Sequence, residues 1–411
     1  MKPMGLPMLL AYGGFGLPLA MVALPIYVYL PQFYAARAGL SLAAIGAVLL
    51  TARVAAAFTD PLLGWWIARG RGAYPRYVAL ALAPLLAGFV ALFHPPALDA
   101  LGSLGWFLAT LMLVYVGFGI ATIAHQSWGA ALTQAPAERS RVSGVREACG
   151  LVGVVLAAGV TGVAGYQGLT IAFAVALLGA AAALLVWSRR APRTVAEVQL
   201  PALSQMAMPF REPRFRALFA VLMVNGVASA IPATLFLFFA ADHLRLAALS
   251  GLFLIMYFGA AALSIPLWVP LAVRFGEART WVGGMLLSCA VFVWAFGLAP
   301  GASAAFGAIC VLSGFAVGAD LALPPALLAG VIAKAGHAGS REAAYFGVWN
   351  WGVQMTLALA AGIALPLLEW LGYVPGTGTG TGALVAAYAL LPCALKLTAA
   401  AILWRAPLRN L

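Results

Sequence analysis

The chain has 411 residues, of which 64% are apolar and only 8% charged, with a net charge of +12. A soluble domain carries roughly 25% charged residues to keep its surface hydrated, so water is excluded as the solvent of this chain. Secreted disulfide modules, soluble DNA-binding domains and disordered scaffolds are excluded with it. Apolar stretches of helical length recur from end to end, the pattern of a polytopic integral membrane protein.

Reading those stretches against Pro, Gly and charge clusters predicts twelve transmembrane helices. The first six lie at roughly 9–36, 41–69, 74–96, 101–133, 141–167 and 168–190. The second six lie at roughly 215–243, 248–275, 279–299, 303–334, 338–372 and 380–405. The first stretch is too long for a cleavable signal and runs into Tyr27, Tyr29 and Tyr34 without a small-residue cleavage site, so it reads as a retained anchor. Cys149, Cys289, Cys310 and Cys393 all fall in spans with no CxxC or metal spacing, which makes them packing residues.

The segment 191–214, with Ala191-Pro192-Arg193 and Pro209-Phe210-Arg211-Glu212-Pro213, divides the spans six and six. The expected fold is therefore an all-α membrane protein of two six-helix bundles, residues 1–190 and 215–411, joined by a cytoplasmic linker. A weak internal echo agrees with it: Pro61-Leu62 precedes Arg69 as Pro266-Leu267 precedes Arg274, each pair near the end of the second helix of its half. Between the last two spans, Gly376-Thr377-Gly378-Thr379-Gly380-Thr381-Gly382 reads as a flexible spacer.

Charge placement gives orientation. With the N-terminus inside, all but four of the 23 Lys and Arg fall in inner segments. Arg37 and Arg245 lie outside, and Arg53 and Lys396 lie within spans. The positive-inside rule puts both termini in the cytoplasm, so the excess of Arg is topology information and no nucleic-acid partner is implied. A bacterial inner membrane suits such a chain.

Particular residues narrow the reading. Arg53 followed by Thr59-Asp60-Pro61-Leu62-Leu63-Gly64 in helix 2, and Trp128-Gly129-Ala130 with Glu138-Arg139, Arg141, Gly144 and Arg146-Glu147-Ala148 across helices 4 and 5, resemble the glycoside-pentoside-hexuronide:cation symporter family of the major facilitator superfamily. In the second half Phe215-Arg216, Pro266-Leu267-Trp268, Asp320-Leu321-Ala322-Leu323-Pro324-Pro325 and Tyr345-Phe346-Gly347-Val348-Trp349 continue the resemblance. It implies the major facilitator fold and secondary transport by alternating access, with a cation bound in the N-terminal bundle. It implies a small-molecule substrate, a lipid bilayer and a monomer, with no cofactor and no metal.

A coupling ion needs an ionisable group inside the membrane, and such groups are rare because a carboxylate at mid-bilayer costs about 2.5–3.5 kcal/mol on insertion scales. Asp60 is the foremost candidate. Arg53, Ala56, Asp60 and Gly64 share one face of helix 2, Thr59 offers a further oxygen, and Pro61 frees backbone carbonyls. The alternative is that Asp60 only pairs with Arg53 to hold the bundle. Departures from the family pattern are equally informative: Ala56 stands where sugar-carrying members place a second helix 2 carboxylate, and Ala20 and Ala124 stand at sugar-contacting Asp positions. With one carboxylate left in helix 2, a proton is favoured over sodium as the coupling ion, with uncoupled facilitation as the alternative.

For the substrate, what remains is basic and aromatic: Arg146, Trp128, His125 and Tyr27, with Tyr27 seven residues from Ala20 on one face of helix 1. Asp320, Asn350 and Gln354 add polar positions in the second half, Lys396 being a partner that could neutralise Asp320. These suit an anionic or amphiphilic solute better than a neutral sugar. A cation-coupled glycoside symporter and a lysolipid transporter or scramblase are the competing readings. Arg139, Arg141 and Glu138 are candidates for a cytoplasmic gate, with plain topology determinants as the alternative. No HExxH, GxSxG or CxxC pattern points to an enzyme.

Overall fold

The computed structural model describes residues 5–70, 73–132, 136–188, 208–337 and 342–408. Among them there is no strand. Eleven stretches of the described residues are long and apolar enough to cross a membrane. One of them is double: the helix spanning Pro136–Ser188 has 53 residues and contains Gly165 at φ 62°, ψ −163°. An unbroken helix of that length would run about 80 Å, more than twice the hydrocarbon thickness. Gly165 takes a backbone conformation that a side chain would obstruct, and it divides the stretch into two passes. Twelve membrane-length helices result among the described residues, the number expected from the sequence.

We number them α1 (Pro7–Ala38), α2 (Leu42–Arg69), α3 (Tyr74–Phe93), α4 (Ala100–Leu132), α5 (136–164), α6 (166–188), α7 (Pro213–His243), α8 (Ser250–Phe275), α9 (Glu277–Gly297), α10 (Ser303–Lys334), α11 (Glu342–Trp370) and α12 (Thr381–Arg405). Prolines sit inside many of them, among them Pro61, Pro84, Pro232, Pro266, Pro366 and Pro392. Membrane helices tolerate them because neighbouring helices and local adjustments satisfy the freed carbonyls. Pro25 opens a π-helical turn, Pro25–Tyr29, in the middle of α1.

The chain packs as two compact units, one of residues 1–26 and 51–200, the other of 27–50 and 201–411. Most of the expected linker, residues 191–207, lies outside the described residues. In the first unit α1 packs on α5, α3 on α4, and α3 on α6 through Phe89 and Phe173, whose ring centroids are 4.3 Å apart. In the second unit α7 packs on α11, α9 on α10, and α9 on α12. Position for position these are the same pairings six helices on.

Small residues make the close approaches possible. A β-carbon on Gly153 of α5 would overlap the carbonyl of Leu17 on α1, and one on Gly314 of α10 would overlap the carbonyl of Tyr257 on α8. Large apolar side chains such as Leu101, Val163, Leu263 and Trp294 are exposed. On a soluble protein they would be a liability, but on a membrane helix they face lipid.

Within the second unit the start of α2 is capped from α11. The Ala43 N–H donates to the Glu369 carboxylate at 2.7 Å, satisfying one of the amides that a helix N-terminus leaves open. The Gly-Thr segment is more ordered than a spacer. Gly376, Gly378 and Gly380 all have φ between 70° and 77°, and Asp242 accepts hydrogen bonds from the Tyr373 hydroxyl at 2.5 Å and the Gly376 N–H at 2.8 Å. Burial and the adjoining carboxylate push the Tyr373 phenol well above its usual range.

Candidate functional site

In the first unit, α2 carries Arg53, Thr59 and Asp60 against α4. The Asp60 carboxylate occupies space that Gly119 leaves open: a β-carbon there would stand 2.8 Å from Asp60 Oδ1 and 3.1 Å from Leu63. Asp60 is half-buried. Arg53, 8% exposed, lies with its guanidinium 5.1 Å from the centre of the Tyr115 ring, and its charge acts on Asp60. A cation over an aromatic face is stabilised without giving up its charge, so Arg53 supplies positive potential to the carboxylate while anchored on α4. Thr59 donates its hydroxyl to the Ala56 carbonyl at 3.0 Å, which turns its side chain back onto its own helix.

The other first-unit candidates lie in different surroundings. His125 is fully buried; its Nε2 lies 2.9 Å from the Tyr12 carbonyl, and the Tyr12 hydroxyl donates to the His125 carbonyl at 2.9 Å. This reciprocal pair joins α1 to α4. Trp128, 6% exposed, stacks on Trp187 with ring centroids 5.5 Å apart and planes at 28°. Arg146 is half-buried where α1 crosses α5, and a β-carbon on Gly16 would stand 2.8 Å from its carbonyl. The backbones of Glu138, Arg139 and Arg141 begin α5, while their side chains lie outside the described residues.

Tyr27 does not share a continuous α-helical face with Ala20. The π turn Pro25–Tyr29 widens the helix between them, so the seven-residue spacing no longer repeats a face, and Tyr27 belongs to the second unit. On α11, Asn350 is exposed and Gln354 half-buried.

Asp320 is the centre of a polar cluster drawn from four helices. Its Oδ2 lies 2.6 Å from Lys396 Nζ of α12; its Oδ1 accepts from Trp281 Nε1 of α9 at 2.7 Å and from Asn225 Nδ2 of α7 at 3.1 Å. Lys396 also donates to Asn225 Oδ1 at 2.8 Å, closing a ring of three side chains. The Asp320 and Lys396 side chains are 13% and 6% exposed. A buried charge is tolerated only when paired and hydrogen-bonded, and here every carboxylate oxygen has a donor.

The pairing of Asp320 with Lys396 is legible in the sequence as two opposite charges inside spans. The participation of Trp281 is not, because an indole on an apolar helix carries no mark of the partner it reaches 39 positions away. Tyr115 and Gly119 are likewise silent, since their importance comes from what α2 places against them.

Beside the cluster lies a cavity of about 80 Å³ walled by Ser229, Phe236, Tyr257, Cys289, Tyr388 and Lys396, among others. Among the described residues no group of His, Cys, Asp and Glu is arranged to hold a metal ion.

The nucleoside transporter NupG has a similar structure, with a TM-score of 0.70 at 14% identity, covering 97% of this chain and 99% of that one. A POT family transporter in complex with 5-aminolevulinic acid gives 0.73 at 12% identity, covering 100% and 97%. At such identities the likeness shows the fold. In sequence the chain is 29% identical over 125 residues to the uncharacterized symporter YjmB of Bacillus subtilis (strain 168), a match covering 29% of this chain and 27% of that protein. Residues 9–410 match the family described as MFS/sugar transport protein, and the chain belongs to that family.

Proposed function

We propose that the protein is a secondary transporter working by alternating access, which carries a small organic solute together with a proton. The observation that carries this reading is the seat of Asp60: a half-buried carboxylate inside an apolar helix, housed in the space left by Gly119 and held under the potential of Arg53. A lone carboxylate binds and releases a proton with one titratable group, whereas sodium requires several converging oxygens, and Thr59 is turned to its own backbone. The solute is anionic or amphiphilic, in keeping with the alanines at positions 20, 56 and 124. The chain works as a monomer of two bundles with both termini cytoplasmic, in a bacterial inner membrane.

The family description favours a second reading, a sugar transporter. Proteoliposome uptake of labelled benzoate, melibiose and a lysophospholipid, measured over protein-free vesicles, separates the two. Benzoate uptake driven by an inward proton gradient, indifferent to sodium and lost in Asp60→Asn, is the expected result. Sodium-dependent melibiose uptake without a pH effect overturns it, as does movement of lysolipid without any gradient.

A further inference from the structure

The Asp320 cluster is more than a brace. Lys396 has three N–H donors and commits two, to Asp320 and Asn225, among the described residues. Its side chain also forms part of the cavity wall. One turn along α7 from Asn225, Ser229 lines the same cavity, and its hydroxyl is buried with no hydrogen-bond partner among the described residues. An ammonium with a donor to spare and an orphaned hydroxyl, meeting at one small cavity among aromatic walls, form a site for a compact anion attached to an apolar body. The volume of about 80 Å³ accommodates two or three waters, or a carboxylate group with the first atoms of its chain.

We propose that this cavity in the second unit binds the carboxylate of an organic acid by exchange at Lys396. The incoming carboxylate pairs with the Lys396 ammonium and accepts from Ser229, displacing Asp320 from Lys396. Asp320 then takes one proton from water at Oδ2, because a carboxylate left buried without its cation is the costliest state available. Charge balances: an ion pair plus an anion plus a proton becomes a neutral acid plus a new ion pair. The net charge of the site is zero before and after, one proton entering with each carboxylate.

The groups placed to act on Asp320 are Asn225 of α7, Tyr257 of α8, Trp281 and Cys289 of α9, and Lys396 of α12. Lys396 is the single cation among them. Asn225 and Trp281, which do not titrate, keep the protonated carboxyl in place by continuing to donate to Oδ1.

This inference rests on the anionic-solute reading above and is tested apart from it. Binding of labelled benzoate and phenylacetate to the detergent-purified protein is measured against pH. Uptake of one proton on binding weakens affinity about tenfold for each unit that the pH rises. Asp320→Asn should bind with no pH slope, and the charge-neutral pair Asp320→Asn with Lys396→Met, which leaves no buried charge unpaired, should fold but bind neither probe. Gly105→Ala, at a position with open space around it and outside both polar clusters, should keep the full slope; the readout is binding rather than uptake, so failure of the Asp60 coupling reading leaves this result standing. The proposal is overturned if neither probe binds the native protein, if native binding has no pH slope, if Asp320→Asn retains it, or if the double variant binds as the native protein does.

Discussion

Replacing Lys396 by Met removes the cation that lies 2.6 Å from Asp320 Oδ2 while leaving a side chain of similar length on α12. Trp281 and Asn225 still donate to Oδ1, so hydrogen bonds survive but the compensating charge does not. Breaking a buried pair from one side costs about 3–5 kcal/mol, whereas replacing both charges by neutral groups is close to neutral. Asp320→Asn on its own strands the ammonium in the same way, softened by the bond from Lys396 to Asn225 Oδ1. The double variant Asp320→Asn with Lys396→Met should then be more stable than Lys396→Met alone, with a coupling of at least about 3 kcal/mol. Unfolding by dodecyl sulfate in mixed micelles, followed by tryptophan fluorescence, measures all four proteins. If the two single effects add to the double effect within about 0.5 kcal/mol, the pair is not interacting as the geometry requires and the reasoning fails.

Gly119→Ala places a β-carbon 2.8 Å from Asp60 Oδ1. It should cost about 1–3 kcal/mol, as overpacking does, and shift the pH profile of uptake, whereas Gly105→Ala, with open space around it, should do neither. Unchanged pH dependence in Gly119→Ala would separate Asp60 from coupling. Asp242→Ala removes the acceptor for Tyr373 and Gly376, two bonds to a carboxylate worth about 1.5–3 kcal/mol each at most. Limited proteolysis should then cut the 374–380 loop at least tenfold faster, while native-like resistance would show that the loop is held by its internal bonds alone.

The fold was legible because the bilayer constrains sequence so strongly. Each helix must satisfy its own backbone and turn apolar side chains to lipid, so length and hydropathy locate the spans without knowledge of their neighbours. Even the merged stretch Pro136–Ser188 follows this logic, since no membrane holds a straight helix of that length. The site was legible only in its charges. Asp60, Arg53, Asp320 and Lys396 stand out against apolar surroundings, whereas nothing in the sequence marks the contacts of Trp128 with Trp187 or of His125 with Tyr12.

What the sequence determined by itself was therefore the solvent, the number of crossings, the six-and-six division expected of them, and the few intramembrane charges that need a partner or a purpose. Tertiary structure decided which partner. Gly119 makes room for Asp60, Trp281 and Asn225 complete the environment of Asp320, and the π turn after Ala20 separates Tyr27 from the face it was expected to share. Hydropathy is a property of one helix against lipid, whereas these arrangements depend on the register between helices, set by side chains far apart along the chain.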